Sequence, residues 1–246
     1  MEKLDQQQIK KLNDFVRQVG NDSLGQELEV NSKQVRNDFV TNVDVLNEKK
    51  IREFISELRP NAAFIGEELS PDSISLDGEI WIIDPIDGTM NFVKTKDYFG
   101  IMVAMFYDGQ PVFGLILDIT NQKLVWSQTG EGVFINEDKL EPIHRDKLTD
   151  GVLLFSAHSI LRNYEDEIEI ARKALTIRIY EAASISLIRV IEGKAVGYLS
   201  GLKTWDVAAG VVIFKELGLP VVNLNGEPID ILNPGQVAFG FNPKEF

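Results

Sequence analysis

The 246-residue sequence has no cysteine and only two histidines, His144 and His158. Without cysteine there can be no disulfide, no thiolate zinc site and no cysteine nucleophile, and the composition is the kind a reducing compartment such as the cytoplasm tolerates. Two histidines are too few for a histidine-rich transition-metal centre. Long apolar runs are also missing, since none approaches the roughly 20 residues that a bilayer-spanning helix needs. Residues 1–8 carry neither an apolar stretch nor a cleavage pattern, so no signal peptide and no membrane association is expected. Positive charge is scarce: 25 Lys and Arg stand against 38 Asp and Glu, for a net charge of −13. No basic stripe is visible, which argues against nucleic-acid binding. An acidic protein can still bind a phosphate if metal ions reverse the local sign, and hard cations favour the oxygen ligands this chain has in plenty.

What the sequence does contain is the balance of a folded globular chain, 44% hydrophobic and 26% charged. Over residues 7–19 apolar side chains recur at Ile9, Leu12, Phe15, Val16 and Val19 with helical period, and Gly20, Asn21, Asp22, Ser23 and Gly25 are expected to break the helix. A second helix is expected over 42–58, with Val43, Leu46, Ile51, Phe54, Ile55 and Leu58 on its apolar face and Pro60 past its end. The texture then turns to strands at 64–65 and 80–83, followed by a meander over 99–107, 112–117 and 123–127 and a further strand at 133–135. Residues 142–150 read as a polar linker. Beyond them strands at 152–155, 177–180 and 195–199 alternate with helices at 160–174, 184–191 and 207–217, an α/β pattern. The reading is an N-terminal α+β lobe over 1–145 and a C-terminal α/β lobe over 146–246.

The most informative segment runs from Trp81 to Thr89, where an apolar strand ends in Asp84 and Asp87 with Pro85 and Ile86 between them. A strand end is rigid and proline fixes one backbone angle, so two carboxylates can converge there with little entropy to lose. Gly88 permits close approach of a ligand, and a short helix starting at Thr89 would offer unpaired N–H groups to a phosphate. A surface turn is the plainer alternative, because Asp-Pro and Asp-Gly are turn dipeptides. Gly66-Glu67-Glu68 follows another short apolar run, where a carboxylate can join a metal cluster, although by itself the segment reads better as a solvated glutamate pair. Asp206, in Trp205-Asp206-Val207-Ala208-Ala209-Gly210, sits where an apolar helix begins; it fits a helix cap, a metal ligand, or both. Asp38 and Asp44 flank the start of the second helix, either as helix-start residues or as groups that polarise a hydroxyl or a metal-bound water.

In this order the segments resemble the inositol monophosphatase family over nearly the whole chain. Lys33 with residues 38–44 resembles the family's first motif, 64–68 its second, 81–92 its signature and 205–210 its C-terminal signature; 130–136 resembles the loop and strand between them. The resemblance implies a layered αβαβα sandwich, a combination of α+β and α/β parts, often a homodimer. It implies a magnesium-dependent, lithium-sensitive phosphomonoesterase that holds two or three Mg2+ ions on Glu67, Asp84, Asp87, Asp206 and the Ile86 carbonyl. Glu67 and Thr89, with Asp44 behind Thr89, would set the attacking water. Asp87, Gly88, Thr89, Ala182 and Asp206 would contact substrate, while Lys33, Asp38 and Glu68 would stand just outside. The substrate implied is inositol monophosphate or a similar small polyol or sugar phosphate, with a bisphosphate (phosphoadenosine phosphate or fructose-1,6-bisphosphate) or a non-catalytic metal-binding homologue as alternatives. Two departures bear on this. Leu199 stands where inositol-specific members carry a sugar-contacting glutamate, and the substrate loop reads Tyr180-Glu181-Ala182-Ala183-Ser184. A leucine cannot accept a hydroxyl proton, a loss on the order of 1–3 kcal/mol.

Overall fold

A computed structural model describes residues 3–32, 39–69 and 75–245. Chain order begins with α1 (Gln6–Leu24), the short pair β1 (Val30–Ser32) and β2 (Phe39–Thr41), α2 (Asn42–Leu58), β3 (Ala63–Gly66), β4 (Glu79–Asp87) and α3 (Thr89–Lys94). The meander follows as β5 (Gly100–Tyr107), β6 (Gln110–Asp118), β7 (Lys123–Gln128), β8 (Gly132–Ile135) and β9 (Asp138–Lys139). The last third holds β10 (Val152–Phe155), α4 (Ala157–Leu161), α5 (Glu165–Ala171), β11 (Thr176–Arg178), α6 (Ala183–Ile191), β12 (Gly197–Leu202), α7 (Thr204–Glu216), β13 (Val221–Asn223) and β14 (Gly235–Phe239).

Strands β3 to β9 form a seven-stranded sheet in sequence order, antiparallel except for the parallel pair β3 and β4. The other sheet has five strands in the order β11-β10-β12-β14-β13, with β10 parallel to both neighbours. Alternation along β4 explains the layering. Trp81 and Ile83 join Ile9, Leu12, Val43, Ile51 and Ile55 of α1 and α2 in one core. Ile80 and Ile82 point the other way, into a second core with Leu187 and Ile188 of α6, Val212 and Ile213 of α7, and Tyr198 and Phe239 of the five-stranded sheet. A third core, with Leu153, Phe155, Leu199 and Ala238 against Ile170 and Ala171 of α5, covers the far face of that sheet. The order is therefore helix, sheet, helix, sheet, helix, the expected αβαβα sandwich. No helix among the described residues is long and apolar enough to cross a membrane.

The structure corrects the reading in three places. Helix α1 passes through Gly20 and ends only at Gly25. Gly20 is where the helix lies closest to the sheet (a Cβ there would sit 2.9 Å from Leu117), and Ser23 bonds back to the Val19 carbonyl. The helix expected over 160–174 is two short ones, parted at Asn163 with φ of +54°. On α2, Leu46 is exposed, whereas Asn47 and Glu48 are fully buried.

Candidate active site

The parallel pairing of β3 and β4 sets Gly66 opposite Ile83, so Glu67 and Asp84 follow side by side. Beyond Ile83, β4 does not stop. It continues to Asp87 through a register shift against β5 between Asp84 and Asp87, a bulge in which Pro85 costs no ladder bond. The bulge aims both aspartates to the same side. Asp87 accepts the backbone N–H groups of Ala183 (3.1 Å) and Ser184 (2.7 Å) and the Ser184 hydroxyl, tying β4 to the start of α6. Asp206 is the third residue of α7, where it accepts the Lys203 N–H at 2.7 Å in a capping arrangement. Carboxylate oxygens of Asp84, Asp87 and Asp206 lie within 4.8 Å of one another. Capping therefore leaves Asp206 able to face a shared centre.

Gly88, with φ of +83°, precedes α3, and a Cβ there would come 3.0 Å from the Ala182 Cβ and 3.2 Å from the Tyr98 carbonyl. The glycine both permits the left-handed turn and lets Ala182 close on it. The Thr89 hydroxyl lies 3.0 Å from Asp44 Oδ1 and 3.1 Å from the Ile86 carbonyl. Asp44 is fully buried and also accepts the backbone N–H and hydroxyl of Thr41. A cavity of about 460 Å³ opens on these groups, lined by Glu67, Asp84, Ile86, Asp87, Gly88 and Thr89, with Lys203, Trp205 and Asp206 opposite them in sequence.

The electrostatics are strained without a cation. Burial, then the neighbouring charges of Glu67, Asp87, Asp206 and Asp44, push the Asp84 carboxyl well above the usual carboxylate range. Asp206 keeps some exposure to the cavity, yet burial and Asp87 drive it up to about 7. Burial also raises Asp87 and Asp44. Asp84 Oδ1 is buried with no hydrogen-bond partner among the described residues. A set of oxygen donors in this state fits a hard divalent cation such as magnesium, which would satisfy the orphaned oxygen and remove the repulsion together.

Of the residues singled out from the sequence, Glu67, Asp84, Ile86, Asp87, Gly88, Thr89 and Asp206 line one cavity, and Asp44 and Ala182 touch it from behind. The backbone N–H of Glu68 is bonded to Glu48 Oε2 at 2.7 Å. Lys33 and Asp38 lie outside the described residues. Leu199 is fully buried in the third core, paired with Phe155 and Ala238 across the sheet. Sequence reasoning missed Asn47, Glu48, Ser184, Lys203 and Trp205. The first two could have been found from Asp44, because residues three and four positions on share its helix face.

A family model described as the inositol monophosphatase family matches residues 1–244. The inositol-1-monophosphatase of Bacillus subtilis (strain 168) is 34% identical over 239 residues, covering 94% of this chain and 90% of the relative. Among solved structures, an IMPase/NADP phosphatase complexed with Mg2+ and phosphate superposes with a TM-score of 0.85 at 30% identity, over 97% of this chain and 93% of that one. A staphylococcal inositol monophosphatase-1, soaked with lithium chloride as an inhibitory complex, gives a TM-score of 0.87 at 29% identity, over 100% of this chain and 94% of the other.

Proposed function

The chain belongs to the inositol monophosphatase family and is a magnesium-dependent phosphoric monoester hydrolase, and we propose that its substrate is inositol monophosphate or a similar small polyol phosphate, cleaved in the cavity above. The observation that carries this is the convergence of Asp84, Asp87 and Asp206, from two distant segments, within 4.8 Å beside the Gly88-Thr89 turn. Glu67, Asp84, Asp87, Asp206 and the Ile86 carbonyl would hold two or three ions. Magnesium, when bound, supplies Lewis acidity toward the attacking water, the phosphoryl oxygens and the departing alkoxide. The residues do the rest. Thr89, donating its proton to Asp44, keeps an oxygen lone pair to orient the water, and Glu67 accepts that water's proton. The N–H groups of Gly88 and Thr89 receive the phosphate, and Ala182, held against Gly88, borders the organic part. We also keep the division into lobes over 1–145 and 146–246 as a proposal, with Asp206 carried across from the second.

One observation favours a second reading, a bisphosphate substrate. Lys203 is the one cationic side chain among the described residues lining the cavity. The test is phosphate release from inositol 1-phosphate, fructose 1,6-bisphosphate and 3′-phosphoadenosine 5′-phosphate, each with magnesium, with chelator and with lithium. Magnesium-dependent release that lithium suppresses is expected. Release unaffected by chelator would defeat the metal reading. Lys203→Met is expected to raise KM about tenfold for a bisphosphate if the ammonium pairs with the second phosphate, a contact of roughly 1.5 kcal/mol, and to leave the inositol phosphate KM unchanged if it does not.

A homodimer is proposed on the edge strand β11, whose three residues are all exposed. Leu161 at the end of α4 is 82% exposed, Leu175 just before β11 is 69%, and Ile177 and Ile179 are also exposed, more apolar surface than a solitary edge strand needs. Sedimentation should give a dimer that Leu175→Glu converts to monomer; a monomeric parent at micromolar concentration would rule this out.

A further inference from the structure

Helix α2 buries three polar side chains along one stripe, Asp44, Asn47 and Glu48, each with no exposed surface. They stand at positions i, i+3 and i+4, so they face the same way. What is unusual is where each one reaches. Asp44 takes the Thr89 hydroxyl at the start of α3. Asn47 Nδ2 donates to Ser23 Oγ at 2.9 Å and lies 3.4 Å from the Pro85 carbonyl, inside the bulge between Asp84 and Asp87. Glu48 Oε2 accepts the Glu68 N–H at 2.7 Å and Oε1 lies 3.3 Å from the Leu69 N–H, just past Glu67. The turn just past Glu67, the Asp84–Asp87 bulge and Thr89 are thus gripped by one turn of one helix, while Asp206 comes separately from α7. We propose that Asn47 and Glu48 are positioning residues: with Asp44, they make α2 the rigid jig that fixes the spacing of Glu67, the Asp84–Asp87 bulge and Thr89.

The Glu48 contact shows how tightly the jig is built. A Cβ on Gly66 would fall 2.0 Å from Glu48 Oε1, so glycine at 66 is what lets the carboxylate lie over the turn. Arg52, one turn further on, pairs with the same Oε1 at 2.5 Å. A buried ion pair adds little stability, because desolvation cancels most of its attraction. Its directionality remains. Magnesium demands nearly octahedral oxygens at about 2.0–2.1 Å, so a turn that wanders by a few tenths of an ångström forfeits affinity. Outer partners of metal ligands are typically worth about 10–100-fold in metal affinity.

The inference rests on the proposed metal role of Glu67, Asp84 and Asp87, and its test separates the two. Magnesium chloride is titrated calorimetrically into the metal-free parent, Glu48→Gln and Asn47→Ala, alongside melting of the metal-free proteins. The glutamine keeps the shape but turns an N–H2 toward a backbone donor, so Glu48→Gln should weaken magnesium binding about tenfold or more. At saturating magnesium its kcat should return to within about threefold of the parent, since the side chain touches neither water nor phosphate. A folded Glu48→Gln that melts earlier but binds magnesium as the parent does would reduce Glu48 to a structural role and overturn the proposal. Should that variant fail to fold, Asn47→Ala decides: a threefold or greater weakening supports the jig, and parental affinity overturns it. A parent that binds no magnesium would instead sink the metal reading itself.

Discussion

Replacing Asp84 with asparagine is expected to lower turnover by about a thousandfold or more, some 4 kcal/mol of transition-state stabilisation, while the metal-free protein becomes more stable. Both effects come from one carboxylate. Asp84 is the most crowded acid of the site, buried and facing the charges of Glu67, Asp87, Asp206 and Asp44. Its Oδ1 has no hydrogen-bond partner among the described residues. Such a group is costly to hold charged, and the proposed metal role is what would offset that cost. Asparagine keeps the volume and one oxygen but removes the charge, so the repulsion falls and the metal's anchor goes with it.

The same crowding fixes the sign of the pH dependence. Asp84, Asp87 and Asp206 all titrate higher in the folded protein than in the unfolded chain, Asp206 at about 7 against a usual value of 3.8. The folded state therefore holds more protons between those limits, and stability falls as pH rises. The contribution is fully present below about 4 and is lost as pH climbs through about 7. Melting of the metal-free parent is thus expected to drop between pH 6 and pH 8. Saturating magnesium should abolish the drop, because the ions bind the charged carboxylates. Asp84→Asn should flatten it without any metal. Thermal melts with chelator or magnesium, alongside phosphate release, check all of this. A mutant that turns over at the parental rate, or a metal-free parent that melts higher at pH 8, would contradict the scheme.

Much of this site can be read in the chain because its ligands come from short, rigid stretches. Trp81 to Thr89 announces a strand that ends in acids, and only the bulge that carries β4 on to Asp87 needed coordinates. The first helix and the second also follow their apolar period, with Asn42–Leu58 as expected. The failures share a cause. Gly20 and Asn47 have polar or helix-breaking character that periodicity assigns to solvent, yet tertiary contacts claim them: Gly20 for close approach to Leu117, Asn47 for the Pro85 carbonyl. Glu48 and Arg52 stand at i and i+4 on a helix, a spacing common to surface pairs, and nothing local says that Glu68 and Leu69 will bring their N–H groups to that glutamate. Long-range partners of polar groups are what one sequence hides. The substrate is the other blind spot. The orientation of the Leu199 side chain, away from the cavity into the third core, follows from strand register and not from any local pattern.

Thr89→Val is expected to cost about a hundredfold or more in kcat while magnesium binding stays within about threefold of the parent, a separation that Asp84→Asn cannot show. The two side chains match in shape, so the substitution deletes a hydroxyl and little else. That hydroxyl stands between Asp44 Oδ1 at 3.0 Å and the Ile86 carbonyl at 3.1 Å, and both of these accept. Its proton is therefore committed on the protein side, and its oxygen faces the cavity as an acceptor. Burial pushes the Asp44 carboxyl upward, and hydrogen bonds from Thr41 and Thr89 oppose that rise because they favour the charged form. Valine offers the water no oxygen and leaves Asp44 a partner short, a loss of roughly 1–3 kcal/mol in stability as well. Thr89→Ser restores the oxygen without the methyl group and should recover most of kcat, whereas Asp44→Asn keeps the hydroxyl but frees it to turn. Single-turnover phosphate release across the three variants, with calorimetric magnesium titrations beside it, would reveal the order serine, asparagine, valine. If valine matched serine, Thr89 would be a packing residue, and the water would need to be oriented by Glu67 alone.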